Sequence, residues 1–103
     1  MGLYDFSLYD MICRNSNCFA GRQAWLDADT GESVTFEAFR TRVDRLAAGL
    51  IAAGIRAGDR LGIIGKNSLP FFTLYGAAAA TGAVVVPINW RLSESEMAFN
   101  LND

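Results

Sequence analysis

The 103-residue sequence predicts an α/β domain: a small mixed sheet with a β-hairpin and a parallel strand-helix-strand unit. Three observations predict it. The run Arg60-Leu61-Gly62-Ile63-Ile64 and the β-branched run from Ala83 to Ile88 flank an apolar, alanine-rich segment from Leu69 to Thr81, which reads as strand, helix, strand. Gln23 to Asp27 and Ser33 to Thr35 are short strand-like runs on either side of a glycine-containing turn, Ala28 to Glu32. Phe36, Phe39, Val43, Leu46, Ala47 and Leu50 recur at helical spacing, with Glu37, Arg40, Thr41, Asp44 and Arg45 opposite them.

Taken in chain order, Leu3, Phe6, Tyr9 or Asp10, and Cys13 fall at helical spacing and predict a short amphipathic helix over residues 3 to 13. The hairpin follows. Thr35 is placed to cap the next helix by accepting a bond from an orphan backbone N–H, and Glu37 sits at the positive end of its dipole. Arg40 and Asp44 stand four residues apart on that helix and can pair. Gly54 is expected to end it, since glycine readily takes the left-handed conformation that satisfies the last carbonyls.

Arg60 to Ile64 lacks polar alternation, which predicts a strand covered on both faces. Ser68 or Asn67 caps the helix after it, Pro70 is tolerated in its first turn, and Gly82 stops it. A strand-helix-strand unit of this length makes a right-handed parallel crossover. Ser93 and Glu96 fit a capping box that opens a last helix through about Leu101. The length allows one domain at most, with no internal repeat and no interdomain linker.

Composition excludes several functions. At 51% hydrophobic and 19% charged residues the chain is too apolar for disorder, and its net charge of −2 offers no basic field for nucleic acid or an anionic membrane. It has no histidine and only two cysteines, Cys13 and Cys18, too few for the usual four nitrogen or sulfur ligands of a zinc site. The start, MGLYDFSLYDM, carries two aspartates and no basic residue, the reverse of a secretory signal, so free thiols and a cytoplasmic location are expected. The uncharged stretch from Leu69 to Trp90 is long enough to span a bilayer. Gly82, the valines after it and Pro87 divide it into helix and strand, so no transmembrane segment is expected.

The candidates for chemistry are weak. GDRLGIIGKN, from Gly58 to Asn67, is glycine-rich and contains Gly65-Lys66, but a phosphate-binding P-loop needs glycine where Arg60 stands and Ser or Thr where Asn67 stands. The dinucleotide fingerprint is absent. Without histidine, and with no G-x-S-x-G elbow, neither serine nor Cys13 or Cys18 has an evident base. Asp27, Asp29 and Glu32 cluster in the hairpin and read as a solvated turn. Trp90-Arg91 follows a strand's C-terminal end, where open parallel sheets place ligands, but location is all that supports it. No catalytic, cofactor-binding or metal-ligating residue is therefore assigned.

Two segments carry a resemblance. Val34-Thr35-Phe36-Glu37-Ala38-Phe39, then Arg45-Leu46-Ala47-Ala48-Gly49-Leu50, then Gly54-Ile55-Arg56-Ala57-Gly58-Asp59-Arg60-Leu61 resembles the opening pattern of the adenylate-forming superfamily. Ala80-Thr81-Gly82-Ala83-Val84-Val85-Val86-Pro87-Ile88-Asn89 is similar to the strand that follows in that family. The wording Pro87-Ile88-Asn89-Trp90-Arg91-Leu92-Ser93 looks most like its acyl-CoA synthetase and CoA-ligase branch.

The resemblance implies the N-terminal fragment of an acyl-CoA-synthetase-like large domain. It implies ATP, Mg and CoA as reactants of the full-length enzyme, none of them held by this chain. The family's phosphate loop, ribose-binding acid and C-terminal lysine have no counterparts here and are expected beyond Asp103, so the fragment itself is expected to be inactive. The implied partner is the remainder of the ligase chain. Apolar surface left bare by its absence predicts self-association, and the alternative is a free-standing interaction module derived from the same fold.

Overall fold

The computed structural model describes residues 7–65, 68–88, 91 and 93–102. The first helix, α1, spans Leu8–Phe19. It starts later than residues 3 to 13 because Ser7 and Asp10 close a capping box, and it runs on to Phe19. The Ser7 hydroxyl accepts from the Asp10 N–H at 3.2 Å while the Asp10 carboxylate accepts from the Ser7 N–H at 2.9 Å. Ile12 and Ser16 are buried on this helix, Tyr9 and Cys13 half-buried. Leu3 and Phe6, part of the expected apolar face, lie outside the described residues.

Strands β1, Gln23–Leu26, and β2, Ser33–Thr35, form the expected antiparallel hairpin, with Trp25 opposite Val34. Asp27 organises its turn: its Oδ1 accepts from the N–H groups of Asp29 and Thr30 at 2.9 and 3.2 Å, and its own N–H donates to the Glu32 carbonyl at 2.8 Å. Thr35 ends β2 and caps helix α2, Phe36–Ala52, by accepting from the Ala38 N–H at 3.1 Å. The predicted stripe is the one that packs, with Phe39, Val43 and Ala47 buried. A Schellman motif closes α2: Ile55 N–H donates to the Leu50 carbonyl and Gly54 N–H to the Ile51 carbonyl, both at 3.0 Å, with Gly54 at φ +98°.

Strand β3, Arg60–Ile64, helix α3, Leu69–Thr81, and strand β4, Val84–Ile88, make the strand-helix-strand unit, and β3 pairs parallel with β4. Ser68 caps α3, accepting from the Phe71 N–H, and Gly82 ends it in the left-handed region at φ +78°. The Gly58 N–H donates to the Gly82 carbonyl at 2.9 Å, which ties the turn before β3 to the turn before β4 and sets the two strands level. Helix α4, Glu94–Asn102, opens with the expected capping box between Ser93 and Glu96.

Two details depart from expectation. The hairpin and the parallel pair are separate two-stranded sheets, not one mixed sheet. Trp25 docks the hairpin on α2 and α3 instead, stacking on Phe72 at 4.6 Å between ring centres and tilting against Phe39 at 5.8 Å. Strand β3 is also not covered on both faces: Leu61 and Ile63 are half-buried while Arg60, Gly62 and Ile64 are exposed. The core gathers Ile12, Val34, Phe39 and Val43, with Tyr9, Ala24, Trp25 and Leu69 packed around it.

Candidate functional site

A mainly apolar cleft of about 440 Å³ lies among α1, β1, α2 and α3. Trp25, Phe39, Phe71 and Phe72 form its aromatic wall, Met11 and Leu8 its rim, and Asn15 is its one fully polar side chain. These residues sit together for local reasons. Strand alternation points Trp25 toward the helices, and Phe71 and Phe72 follow the Ser68 cap on the first turn of α3. The cleft offers apolar contact and no nucleophile, general base or charge, so it has no means to do bond chemistry. Sequence reasoning did not find it; its signal was the aromatic content, high for so small a domain.

A polar cluster bridges α1 and α2. The Tyr9 hydroxyl donates to Asp44 Oδ1 at 2.6 Å, Arg40 Nε lies 3.7 Å from Asp44 Oδ2, and Arg40 Nη1 donates to Asn17 Oδ1 at 3.3 Å. The hydrogen bond to Asp44, a second to Cys13 and partial burial together push the Tyr9 phenol up from 10.0 to about 12. Tyr9 is thus a neutral donor throughout the ordinary pH range. It fastens two helices and activates nothing.

The residues weighed in the sequence are not brought together. Asp27 is used by its own turn, and Glu32 pairs with Arg42 at 2.9 Å in solvent. Cys13 is half-buried and Cys18 exposed on α1. Of the Gly58 to Asn67 segment, Gly58 makes the turn and Arg60 to Ile64 make β3, while Lys66 and Asn67 lie outside the described residues. So does Trp90; Arg91 is exposed. Among the described residues no three His, Cys, Asp or Glu side chains come together in a way that could hold a metal ion. The described side chains thus offer no set that fits a magnesium ion. Among the same residues, no helix is long and apolar enough to cross a membrane.

What stands out besides the cleft is uncovered apolar surface around the parallel pair. Ile64 is 48% exposed, Val84 50%, Leu101 61% and Phe99 72%. A parallel pair of strands is ordinarily covered on both faces by further elements. Cleft, parallel pair and exposed helix together define an α/β scaffold with uncovered apolar surface. The family of proteins described as AMP-binding enzymes matches over residues 13–103, and the chain belongs to it.

Among its relatives, the long-chain-fatty-acid–CoA ligase FadD13 of Mycobacterium tuberculosis is 40% identical over 81 residues, covering 79% of this chain and 16% of that protein. The fatty acid–[acyl-carrier-protein] ligase ScoC of Streptomyces coeruleorubidus is 37% identical over 73 residues, 71% of this chain and 14% of that protein. In structure, the N-terminal domain of FACL13 from M. tuberculosis superposes with a TM-score of 0.88 at 34% identity, covering 92% of this chain and 24% of that one. The chain thus matches the N-terminal portion of AMP-forming acyl-CoA and fatty-acid ligases and spans about one-sixth of the length of these curated relatives.

Proposed function

We propose that this chain is the N-terminal scaffold of an ATP-dependent, cytoplasmic acyl-CoA ligase and is itself catalytically inactive. The observation that supports the reading best is the match over residues 13–103, nearly the whole chain, at a small fraction of the relatives' length. In the proposed complete enzyme a carboxylate oxygen attacks the α-phosphorus of ATP, releasing pyrophosphate and forming an acyl-adenylate. The CoA thiolate then attacks the acyl carbon, forming the thioester as AMP leaves with the electron pair. Activation is needed because AMP leaves far more readily than hydroxide from a carboxylic acid.

The role proposed for this chain's own residues is structural. Helices α1, α2 and α3 close a small core around Val43, which is 0% exposed, and present the β3–β4 pair and α4 to the rest of the enzyme. A fatty acid is the proposed first substrate class, given what the two relatives are named for, and their names differ in the thiol acceptor. The test is loss of free CoA thiol when the complete protein is given ATP, magnesium and a fatty or aromatic acid. Thiol loss that depends on both ATP and acid is the expected result; none with any acid overturns the reading.

A further inference from the structure

The start of α1 carries a signal that reaches past its first residue. Ser7 is the N-cap, Leu8 the first helical residue and Met11 the fourth, and Ser7 and Asp10 close a capping box. A residue just before such a cap packs against the fourth helical residue when both are apolar, a hydrophobic staple that fixes the angle at which the chain enters the helix. In this sequence those two residues are Phe6 and Met11. Met11 is 41% exposed and Leu8 42%, and both stand on the rim of the apolar cleft. The staple therefore aims the chain before Ser7 at the mouth of the cleft.

We propose that Leu3-Tyr4-Asp5-Phe6 is a strap that closes the apolar cleft, with Phe6 on Met11 and Tyr4 over the aromatic wall. Ser7 is extended at φ −91° and ψ 169°, so the chain meets α1 as extended backbone and not as a further helical turn. Side chains on extended backbone alternate in direction, which puts Phe6 and Tyr4 on one side and Asp5 on the other. The two aromatic rings then face Trp25, Phe71 and Phe72, and Tyr4 keeps its hydroxyl at the mouth while its ring is covered. No charged side chain lines the cleft, so it suits these rings and would penalise Asp5, which the alternation leaves in water. Extended chain covers about 3.3 Å per residue, so the strap spans about 13 Å, enough to cross the mouth of a cleft of 440 Å³. The strap belongs to this chain and needs nothing beyond Asp103.

Trp25 lies in the cleft wall and reports on the strap, and in a Trp90→Phe background it is the sole tryptophan. In that background Phe6→Ser is expected to shift the Trp25 emission to the red and to raise its quenching by acrylamide. Phe6→Leu restores most of both effects, and Asp5→Ser causes neither. Nuclear Overhauser contacts in the unsubstituted chain supply a readout that no variant's stability can disturb: from the Phe6 ring to the Met11 methyl, and from the Tyr4 ring to Trp25 or Phe72. Trp25 emission and quenching indifferent to Phe6→Ser overturn the proposal, as does the absence of either contact. A Trp25 emission that follows protein concentration and ignores Phe6→Ser assigns the cleft to a second copy and overturns it as well.

Discussion

Gly76 on α3 lies against Val43 on α2 so closely that a Cβ on Gly76 would stand 2.8 Å from Val43 Cγ2, with Ile12 Cδ1 of α1 at 2.9 Å. Three helices meet at the hydrogen of one glycine. Val43 is fully buried in a close-packed core, so the close approach sets how deeply α3 seats on the other two.

Gly76→Ala is therefore expected to destabilise the chain even though alanine is the better helix former. Overpacking costs about 1–3 kcal/mol, against about 1 kcal/mol gained in helix propensity. Gly49, on the exposed side of α2, has nothing within 4 Å of its would-be Cβ, so Gly49→Ala is expected to stabilise by about 0.5–1 kcal/mol. Urea unfolding of the two variants reads the opposite signs; equal signs would remove the close approach as the cause.

The bond from Tyr9 to Asp44 gives a prediction at high pH. The folded phenol titrates near 12 and the unfolded one near 10.0, so the folded state holds the proton more tightly. The stability this adds is complete below pH 10 and is lost as pH rises toward 12. Asp44→Asn removes the leading cause, and the tyrosinate absorbance of Tyr9 is then expected to appear at lower pH. An unchanged titration would place the cause elsewhere.

Thr35→Ala leaves the Ala38 N–H without its side-chain acceptor and is expected to cost about 1 kcal/mol, read as a lower urea midpoint with an unchanged slope. Thr35→Ser, which keeps the oxygen, is expected to restore most of it.

Caps of this kind were legible in the sequence because they are local chemistry. Thr35 stands before an apolar-periodic run, Ser68 before an apolar segment with Pro70 in its first turn and Ser93 three residues before Glu96, and each does cap. Ser7 was hidden by Leu3 and Phe6, whose spacing extends the same period toward the N-terminus. Sheet membership was not legible, because it depends on long-range contacts: Trp25 reads as a strand residue, and only its stacking on Phe72 shows that the hairpin docks on helices. The covering of β3 was misjudged for a related reason. Its apolar run carries the imprint of neighbours on both faces, while the described residues place only Leu61 and Ile63 partly under cover. The cleft was visible only as an excess of aromatic residues. Its walls come from α1, β1, α2 and α3, brought together by the fold alone.

The central claim is that this chain scaffolds a ligase whose chemistry resides in other parts of the proposed complete protein. The most direct measurement is carboxylate-dependent exchange of labelled pyrophosphate into ATP, run on the complete protein and on the 103-residue chain in parallel. The account predicts exchange by the complete protein with a fatty acid and magnesium, and none by the chain alone. Exchange catalysed by the chain alone, or none by the complete protein across fatty and aromatic acids, would contradict it.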